Sequence, residues 1–563
     1  MSSPQPTSAL QRHFVIVQGQ FGTRQVHYRR GGQGPVVLLL HQSPQSSREM
    51  EPLIAAWGEA FTLIAPDSPG YGFSDPLHQP GVTGTSASID DFAAATLEFA
   101  AALGLTRFGI YGFHTGASIG VALAHRYPAR VSAVAANGLV ILTEKERATI
   151  LRDYLPPFLP RWDGGHLAWL WGRMREQTIF FPWHDRRAAT RMSFDVPGPE
   201  RLQQGLLEFL AAGADYHVAY RAAFTDRAEL RLTTLNVPLL ITAAAGDPLA
   251  SHLGRIGARG ATTRIVPSAD GNTALGRAFA HLAAHRGDAG PVGAVPTRAG
   301  SNALPAGASE YLGAPGQQLR AVRTAARTAG PGQTVLLLHA PGRSAESLRS
   351  LANELAEHAD VLALDLPGHG ASDPLPTDAP GGALAGTVVQ LAAALTPSLA
   401  PAATTLIGIG SSAPVAIELA AHLGHNTRVV LLEPQAWSRA DADAWRRHGL
   451  PDLTPVWAGG HLLEAWHLVR DSRLFSPWFR RDRSAIQPGE PDLDDELIQR
   501  EVGDLLRANG AWQALLSDAL GYGGSWGERS GLPIIELAAA PRNWADILAP
   551  GPGHAPASHR PPS

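Results

Sequence analysis

The chain is written twice. VLLLHAPG at 335–342 repeats VLLLHQSP at 37–44, ALDLPGHGASDPL at 363–375 repeats APDSPGYGFSDPL at 65–77, and LIGIGSSAPVAIELA at 406–420 repeats IYGFHTGASIGVALA at 110–124. The order is the same in both halves, and self-similarity on this scale means tandem duplication of a whole domain. At 563 residues the chain is also too long for a single core, so two like units are expected.

Within the first copy, alternating runs from Phe14 to Gly32 predict an edge hairpin, and the apolar run Val36 to Leu40 a buried parallel strand. Further strands are predicted over Phe61–Pro66, Val131–Ala136, Pro238–Thr242 and Thr262–Pro267. From Phe108 to Val131 an apolar run meets Gly112-Phe113-His114-Thr115-Gly116, then a small-residue helix that closes at Tyr127-Pro128. That is a strand, a sharp turn and a helix, with the glycines letting two backbones pass closely. A second G-x-S-x-G string, Gly116 to Gly120, places Ser118 inside the helix, where a small packing residue is expected. Leu142 to about Glu229 is a Trp- and Arg-rich helical insertion. Strands alternating with helices predict an α/β fold.

Formal net charge is −4 with no basic block, so neither nucleic acid nor an anionic membrane is expected as a partner; a small molecule is. The chain has no cysteine, which excludes disulfides, thiolate catalysis and cysteine-ligated zinc. The start, MSSPQPTSALQRHF, lacks a charged then apolar leader, and no run approaches the ~20 apolar residues of a membrane span, so a cytoplasmic protein is expected. Lys145 is the only lysine, hence the only possible Schiff-base amine.

His41-Gln42-Ser43-Pro44 after the first buried strand, Asp67-Ser68-Pro69-Gly70-Tyr71-Gly72-Phe73-Ser74-Asp75 after the second, and the Gly112–Gly116 turn occur in an order that resembles the α/β-hydrolase superfamily. The branch it looks like has an elbow reading G-x-H-T-G in place of G-x-S-x-G. The resemblance implies two tandem domains, each a mostly parallel sheet with flanking helices and a helical lid. Residues 1–12 are then a flexible N-terminus, 13–285 the first domain with its lid at about 142–229, and 286–318 a Gly, Ala and Pro-rich linker. A degenerate second domain follows at 319–540 with its lid at about 437–525, then a Pro-rich tail at 541–563 containing His554.

In that family an elbow nucleophile, a terminal histidine and an acid work together. Here His114 holds the elbow, Asp247 in Gly246-Asp247-Pro248 stands where the acid often lies, and Gly271 takes the histidine's slot, with His281 further along a helix. In the second copy Gly410 replaces the elbow residue. Ser-His-Asp esterase chemistry is therefore not expected, nor is chemistry that needs an elbow aspartate. His114 is left with three readings: a general base oriented by Asp247, a nucleophile forming an acyl-imidazole, or a turn cap. Backbone N–H groups at Gln42 and Thr115 are the expected oxyanion donors.

The lid repeats too: Trp162-Asp163-Gly164-Gly165-His166, Trp171, Arg175 and Trp183 return as Trp457-Ala458-Gly459-Gly460-His461, Trp466, Arg470 and Trp478. Such residues either pack a lid onto its core or face the cleft beneath it; His41, His166, Trp171, Arg175 and Trp183 are taken as substrate-pocket candidates. No metal and no cofactor is expected, since His41, His114 and Asp247 lack H-x-x-x-H type spacing. Two functions stay open. One is an atypical hydrolase or lyase acting on an ester, lactone or dicarbonyl compound, with a silent second domain paired to the first; the other is a pseudoenzyme serving as a small-molecule binding or assembly module, and a homo-oligomer is compatible with either.

Overall fold

The apolar runs become strands buried on both faces, and the glycine turns connect them to helices. The computed structural model of the chain describes residues 10–77, 87–193, 195–289, 307–327, 333–377, 379, 381–397, 404–424, 427–523, 534–541 and 543–548. Residues 1–9 of the expected N-terminal segment, 290–306 of the expected linker, and 549–563 of the tail with His554 lie outside them.

The first sheet is built from β1 (Gln11–Gly19), β2 (Gly22–Gly31), β3 (Val36–Leu40), β4 (Thr62–Pro66), β5 (Phe108–Phe113), β6 (Val131–Asn137), β7 (Leu239–Thr242) and β8 (Thr263–Ile265). Their spatial order is β1-β2-β4-β3-β5-β6-β7-β8; β1, β2 and β4 pair antiparallel in turn, and every neighbour from β4 to β8 is parallel. Helices α1 (Glu51–Trp57), α2 (Ile89–Ala102), α3 (Thr115–Arg126) and α9 (Gly271–Ala284) flank it. Between β6 and β7 the chain runs through α4 (Glu144–Asp153), α5 (Gly165–Glu176), α6 (Pro199–Ala212), α7 (Val218–Thr225) and α8 (Ala228–Leu232), the helical lid.

The second sheet repeats this plan with β9 (Ala308–Leu312), β10 (Leu319–Thr324), β11 (Thr334–Leu338), β12 (Asp360–Leu364), β13 (Thr404–Ile409), β14 (Thr427–Leu432) and β15 (Ile534–Leu537). Its order, β9-β10-β12-β11-β13-β14-β15, is that of the first sheet without a counterpart of β8 among the described residues. β9 falls in the stretch whose composition reads as linker: Ala308, Ser309 and Leu312 are buried there and β9 pairs antiparallel with β10. Helices α10 (Arg349–Leu355), α11 (Gly382–Leu395), α12 (Ala413–Leu423) and α13 (Arg439–Ala444) follow in sequence, then α14 (Gly460–Asp471), α15 (Asp495–Arg507) and α16 (Ala511–Ala519). The chain is thus two mostly parallel α/β sheets with flanking helices. No helix among the described residues is long and apolar enough to cross a membrane.

Contacts divide the chain into one unit of Met1–Thr297 with Asp452–Gly503, and another of Arg298–Pro451 with Asp504–Ser563. Residues 452–503, from the repeat's second lid, therefore belong to the unit that holds the first sheet. The cause is a reciprocal pairing of α5 and α14. Trp171 Nε1 donates to Trp457 O at 2.9 Å and Trp466 Nε1 to Trp162 O at 3.2 Å. The His166 ring meets Trp466 edge-on at 4.8 Å, and His461 meets Trp171 at 5.1 Å. A Cβ on Gly164 would stand 2.8 Å from Trp466 Cδ1, and one on Gly459 2.5 Å from Trp171 Cδ1. Each copy keeps a glycine because the other copy's indole lies against it.

This pairing carries two expected outcomes. Trp466 is 0% exposed, so Trp466→Ala removes a fully buried indole; a loss of about 3–5 kcal/mol in denaturant unfolding of the full chain is expected. Burial pushes the pKa of His166 and His461 down to about 4, as it does for His13 and His281. As pH falls from the ordinary value of 6.5, the unfolded chain takes up these protons before the folded one. Stability is thus complete above about pH 6.5 and lost progressively toward pH 4, a trend that melting temperature against pH will read.

Candidate active site

β5 ends at Phe113 and α3 starts at Thr115, leaving one residue to make the turn. A Cβ on Gly112 would lie 2.3 Å from Gly116 O, and one on Gly116 2.1 Å from Leu40 O, so only glycine allows the helix to cross β3 and β5 this closely. His114 takes the strain, with φ 48° and ψ −106°. Its N–H donates to Asn137 O at 2.9 Å, which ties the turn to the end of β6.

The imidazole then meets Asp247 on the loop after β7: His114 Nε2 and Asp247 Oδ2 are 2.9 Å apart. Asp247 is the ring's only hydrogen-bond partner among the described residues, and Phe113 stacks on its face at 4.1 Å. Leu249 N–H donates to the other carboxylate oxygen at 2.7 Å. Burial works to raise the Asp247 carboxyl, but the His114 ring with its hydrogen bond and the Leu249 N–H outweigh it and hold the pKa below its usual value. The carboxylate thus stays ionised and fixes the ring. Gly138, just after β6, makes the room: a Cβ there would stand 2.3 Å from His114 Cδ2 and 2.7 Å from Nε2.

Both residues line a cavity of about 610 Å³ between the sheet's carboxyl edge and the lid. Its walls are apolar at Phe113, Tyr154, Met174, Phe181, Tyr220 and Phe224. Thr115, the first residue of α3, lines it as well, so the positive end of that helix lies at the cavity floor. Asp270 and Gly271 border the cavity where the resemblance has a histidine; Asp270 instead caps α9 by accepting from Thr273 N–H at 2.7 Å.

The structure brings His114, Asp247, Thr115 and Gln42 to this cavity. The Gln42 backbone N–H, expected as an oxyanion donor, is instead engaged by Glu49 Oε2 at 3.0 Å, and the side-chain amide gives one N–H to Glu49 Oε1. The five pocket candidates all lie elsewhere. His41 fastens the loop after β4, accepting from Ser68 N–H at 2.8 Å, and His339 does the same with Leu366 N–H at 3.0 Å. His166 and Trp171 are taken up by α14, and Arg175 lies 4.5 Å over the Trp457 ring. Trp183 donates to Tyr154 O at 3.1 Å inside the lid. For His166, Trp171 and Arg175, repetition marks the surface where the copies' lids pair. Gly138 and the lid arginines Arg173 and Arg201 belong to no motif, and each differs between the copies.

The second unit keeps the turn without a side chain on it. Gly410 has φ 58°, so the turn persists without a side chain. Glu433 occupies Gly138's place: its N–H donates to Leu537 O at 2.7 Å, as Gly138 N–H does to Thr242 O at 2.8 Å.

A profile described as the alpha/beta hydrolase fold matches residues 35–256, and one described as the alpha/beta hydrolase family matches 335–561. The chain is a tandem member of the α/β-hydrolase superfamily. It is 32% identical over 123 residues to an uncharacterized hydrolase of Saccharomyces cerevisiae, covering 22% of this chain and 40% of that protein. It is 35% identical over 109 residues to haloalkane dehalogenase 2 of Mycobacterium tuberculosis, 19% of this chain and 36% of that one. With 2-(acetamidomethylene)succinate hydrolase of Mesorhizobium japonicum it shares 31% identity over 134 residues, 24% and 46% of the two chains. The chain thus spans less than half the length of each of these relatives. Among solved structures it is similar to epoxide hydrolase A of Mycobacterium thermoresistibile, with TM-score 0.36 and 21% identity over 46% of this chain and 90% of that one.

Gly138→Ala tests how the His114 ring is held. The added methyl overlaps the imidazole and strains a residue at φ 72°, so the ring must leave Asp247. In a histidine-selective NMR spectrum of the full chain, the Nε2–H signal hydrogen-bonded to Asp247 is expected to vanish in the variant while the remaining histidine signals persist.

Proposed function

We propose that the first unit is a hydrolase whose reactive residue is His114, oriented by Asp247, and that it acts on a small carbonyl compound, an ester, lactone or dicarbonyl. The observation that carries this reading is the 2.9 Å pair of His114 Nε2 with Asp247 Oδ2 at the cavity wall. The turn forces side chain 114 toward the sheet's carboxyl edge, where the superfamily presents its elbow residue. With Nε2–H held by the carboxylate, the neutral ring carries its lone pair on Nδ1. That atom takes a proton from water, and the hydroxide attacks the substrate carbonyl carbon. Charge then develops on the carbonyl oxygen beside Thr115 N–H at the start of α3, a donor that needs no rearrangement to stabilise it. Collapse expels the leaving oxygen or carbon, which receives the proton from Nδ1.

In this reading the second copy is catalytically silent, since Gly410 brings no side chain to its turn. The part it contributes is α14, whose indole and imidazole brace α5, and α5 in turn carries Met174 at the cavity wall. The similarity to hydrolases named above supports the reaction type without specifying the substrate.

Turnover on a panel of aryl esters, lactones and β-diketones tests the reading. His114→Ala is expected to lower kcat by about 10²–10⁴, the usual effect of deleting a general base. Asp247→Asn is expected to fall between that variant and the parent chain. Ser118 lies buried inside α3, and Ser118→Ala is expected to leave turnover unchanged. Full activity in His114→Ala would discard this assignment and leave the binding-module reading.

A further inference from the structure

Two guanidinium groups of the first unit's lid, Arg173 and Arg201, bear on the cavity and have no carboxylate partner among the described residues. Arg173 on α5 is 2% exposed, and among the described residues its guanidinium has no ion pair, its one polar neighbour being the neutral Tyr216 hydroxyl. It is caged by the rings of Tyr216, Phe209, Trp183, Tyr154 and Trp169, at 4.8 to 6.0 Å from the guanidinium carbon. Cation–π contacts offset part of the desolvation, but arginine stays charged, and its field extends beyond the cage. One wall of that cage, Tyr154, is also a wall of the cavity. Arg201 on α6 lines the same cavity and, among the described residues, forms no ion pair and makes its one hydrogen bond to the neutral Gln204 side chain at 3.0 Å.

Acidic groups at the cavity do not balance these charges. Asp247 is bonded to His114 and Leu249 N–H, and Asp270 caps α9. The duplicated copy provides a comparison within the same chain. On α5 the buried positions His166, Leu167, Leu170 and Trp171 match buried His461, Leu462, Ala465 and Trp466 of α14, which puts Leu468 opposite Arg173. On α6 the buried positions Leu202, Gln203, Leu206 and Phe209 match buried Ile498, Gln499, Val502 and Leu505, which puts Leu497 opposite Arg201. The copy with His114 has two arginines where the copy with Gly410 has two leucines.

We propose that the first unit's cavity takes a carboxylate-bearing substrate, its apolar body along the aromatic wall, with Arg201 as the group that contacts the carboxylate and Arg173 as the buried charge that favours an anion. This deepens the hydrolase reading and rests on it for the position of the reacting carbonyl. A guanidinium at the edge of an apolar cavity is worth more than one in open solvent, because the lining keeps the pair from being fully screened.

The test compares mono-4-nitrophenyl glutarate with 4-nitrophenyl pentanoate, two esters of similar reach that differ by a carboxylate, on the full chain at low and high salt. The anionic ester is expected to have at least about tenfold higher kcat/KM at low salt, with the advantage shrinking as salt rises. Arg201→Leu is expected to lower the anionic-to-neutral ratio at least about tenfold, mainly through KM, and Arg173→Leu to lower it further in the double variant. In parallel, hexanoate and hexanamide are titrated by calorimetry into the parent chain and into Arg201→Leu, an exposed site whose substitution spares the core. Tighter hexanoate binding that Arg201→Leu abolishes supports the proposal even if Arg173→Leu does not fold. Hexanoate binding without turnover of either ester would keep this inference and discard hydrolysis. Equal turnover of both esters, or equal binding of hexanoate and hexanamide, would overturn the inference and leave hydrolysis standing.

Discussion

The approach of α3 to β3 governs the rest of the first unit. With no space for a Cβ at Gly112 or Gly116, the chain crosses from strand to helix in a single residue, and that residue must adopt φ 48° and ψ −106°. Such a conformation in a non-glycine residue costs of order 1–3 kcal/mol and persists only where the surroundings over-determine it. Here β5 and α3 are buried on either side and the His114 N–H is tied to β6, so the turn has no looser alternative. The second unit separates shape from chemistry. Its turn keeps φ 58° at Gly410, where glycine adopts the angle without a Cβ penalty, so the packing of strand and helix survives without any reactive side chain.

Most of the fold was legible because it depends on short-range regularities. Period-two and continuous apolar runs located the strands, paired glycines located the turn, and repetition of these signals in one order announced two like sheets. His114 and Asp247 were legible for the same reason, since the turn and the end of β7 fix where each side chain starts. The lid was harder. Helical periodicity shows that α5 has an apolar face but not which neighbour covers it, and α5 is covered on two sides. His166 and Trp171 face α14, whereas Met174 faces the cavity. The motif residues His41, Asp67 and Tyr71 serve the loops and the lid. Asp67 receives the N–H groups of Ser47 and Phe73 at 2.7 and 2.9 Å, and Asp365 receives those of Ala345 and Ala371 at the same distances. Tyr71 joins the lid through Tyr216 O and Ala219 N–H. His41 and Asp67, with their counterparts His339 and Asp365, hold loops in both copies, so their persistence reflects folding.

Positions that differ between the copies carry the more specific information, and three of them fit together physically. An imidazole reaches farther from the backbone than a serine hydroxyl, so a ring on residue 114 needs space that the usual arrangement does not provide. Gly138 provides it: any side chain there would overlap Cδ2 and Nε2. The ring then spans to Asp247 without an intervening histidine, and the place where that histidine would stand is occupied by Asp270 and Gly271, which start α9. In the second unit the ring is gone and so is the space, because Glu433 stands where Gly138 does even though φ is 52° there, an angle that glycine would hold with less strain. In the first unit His114, Asp247 and Gly138 are thus one mutually dependent arrangement, in which the carboxylate holds the tip of the ring and the absence of a side chain at Gly138 gives the ring its room.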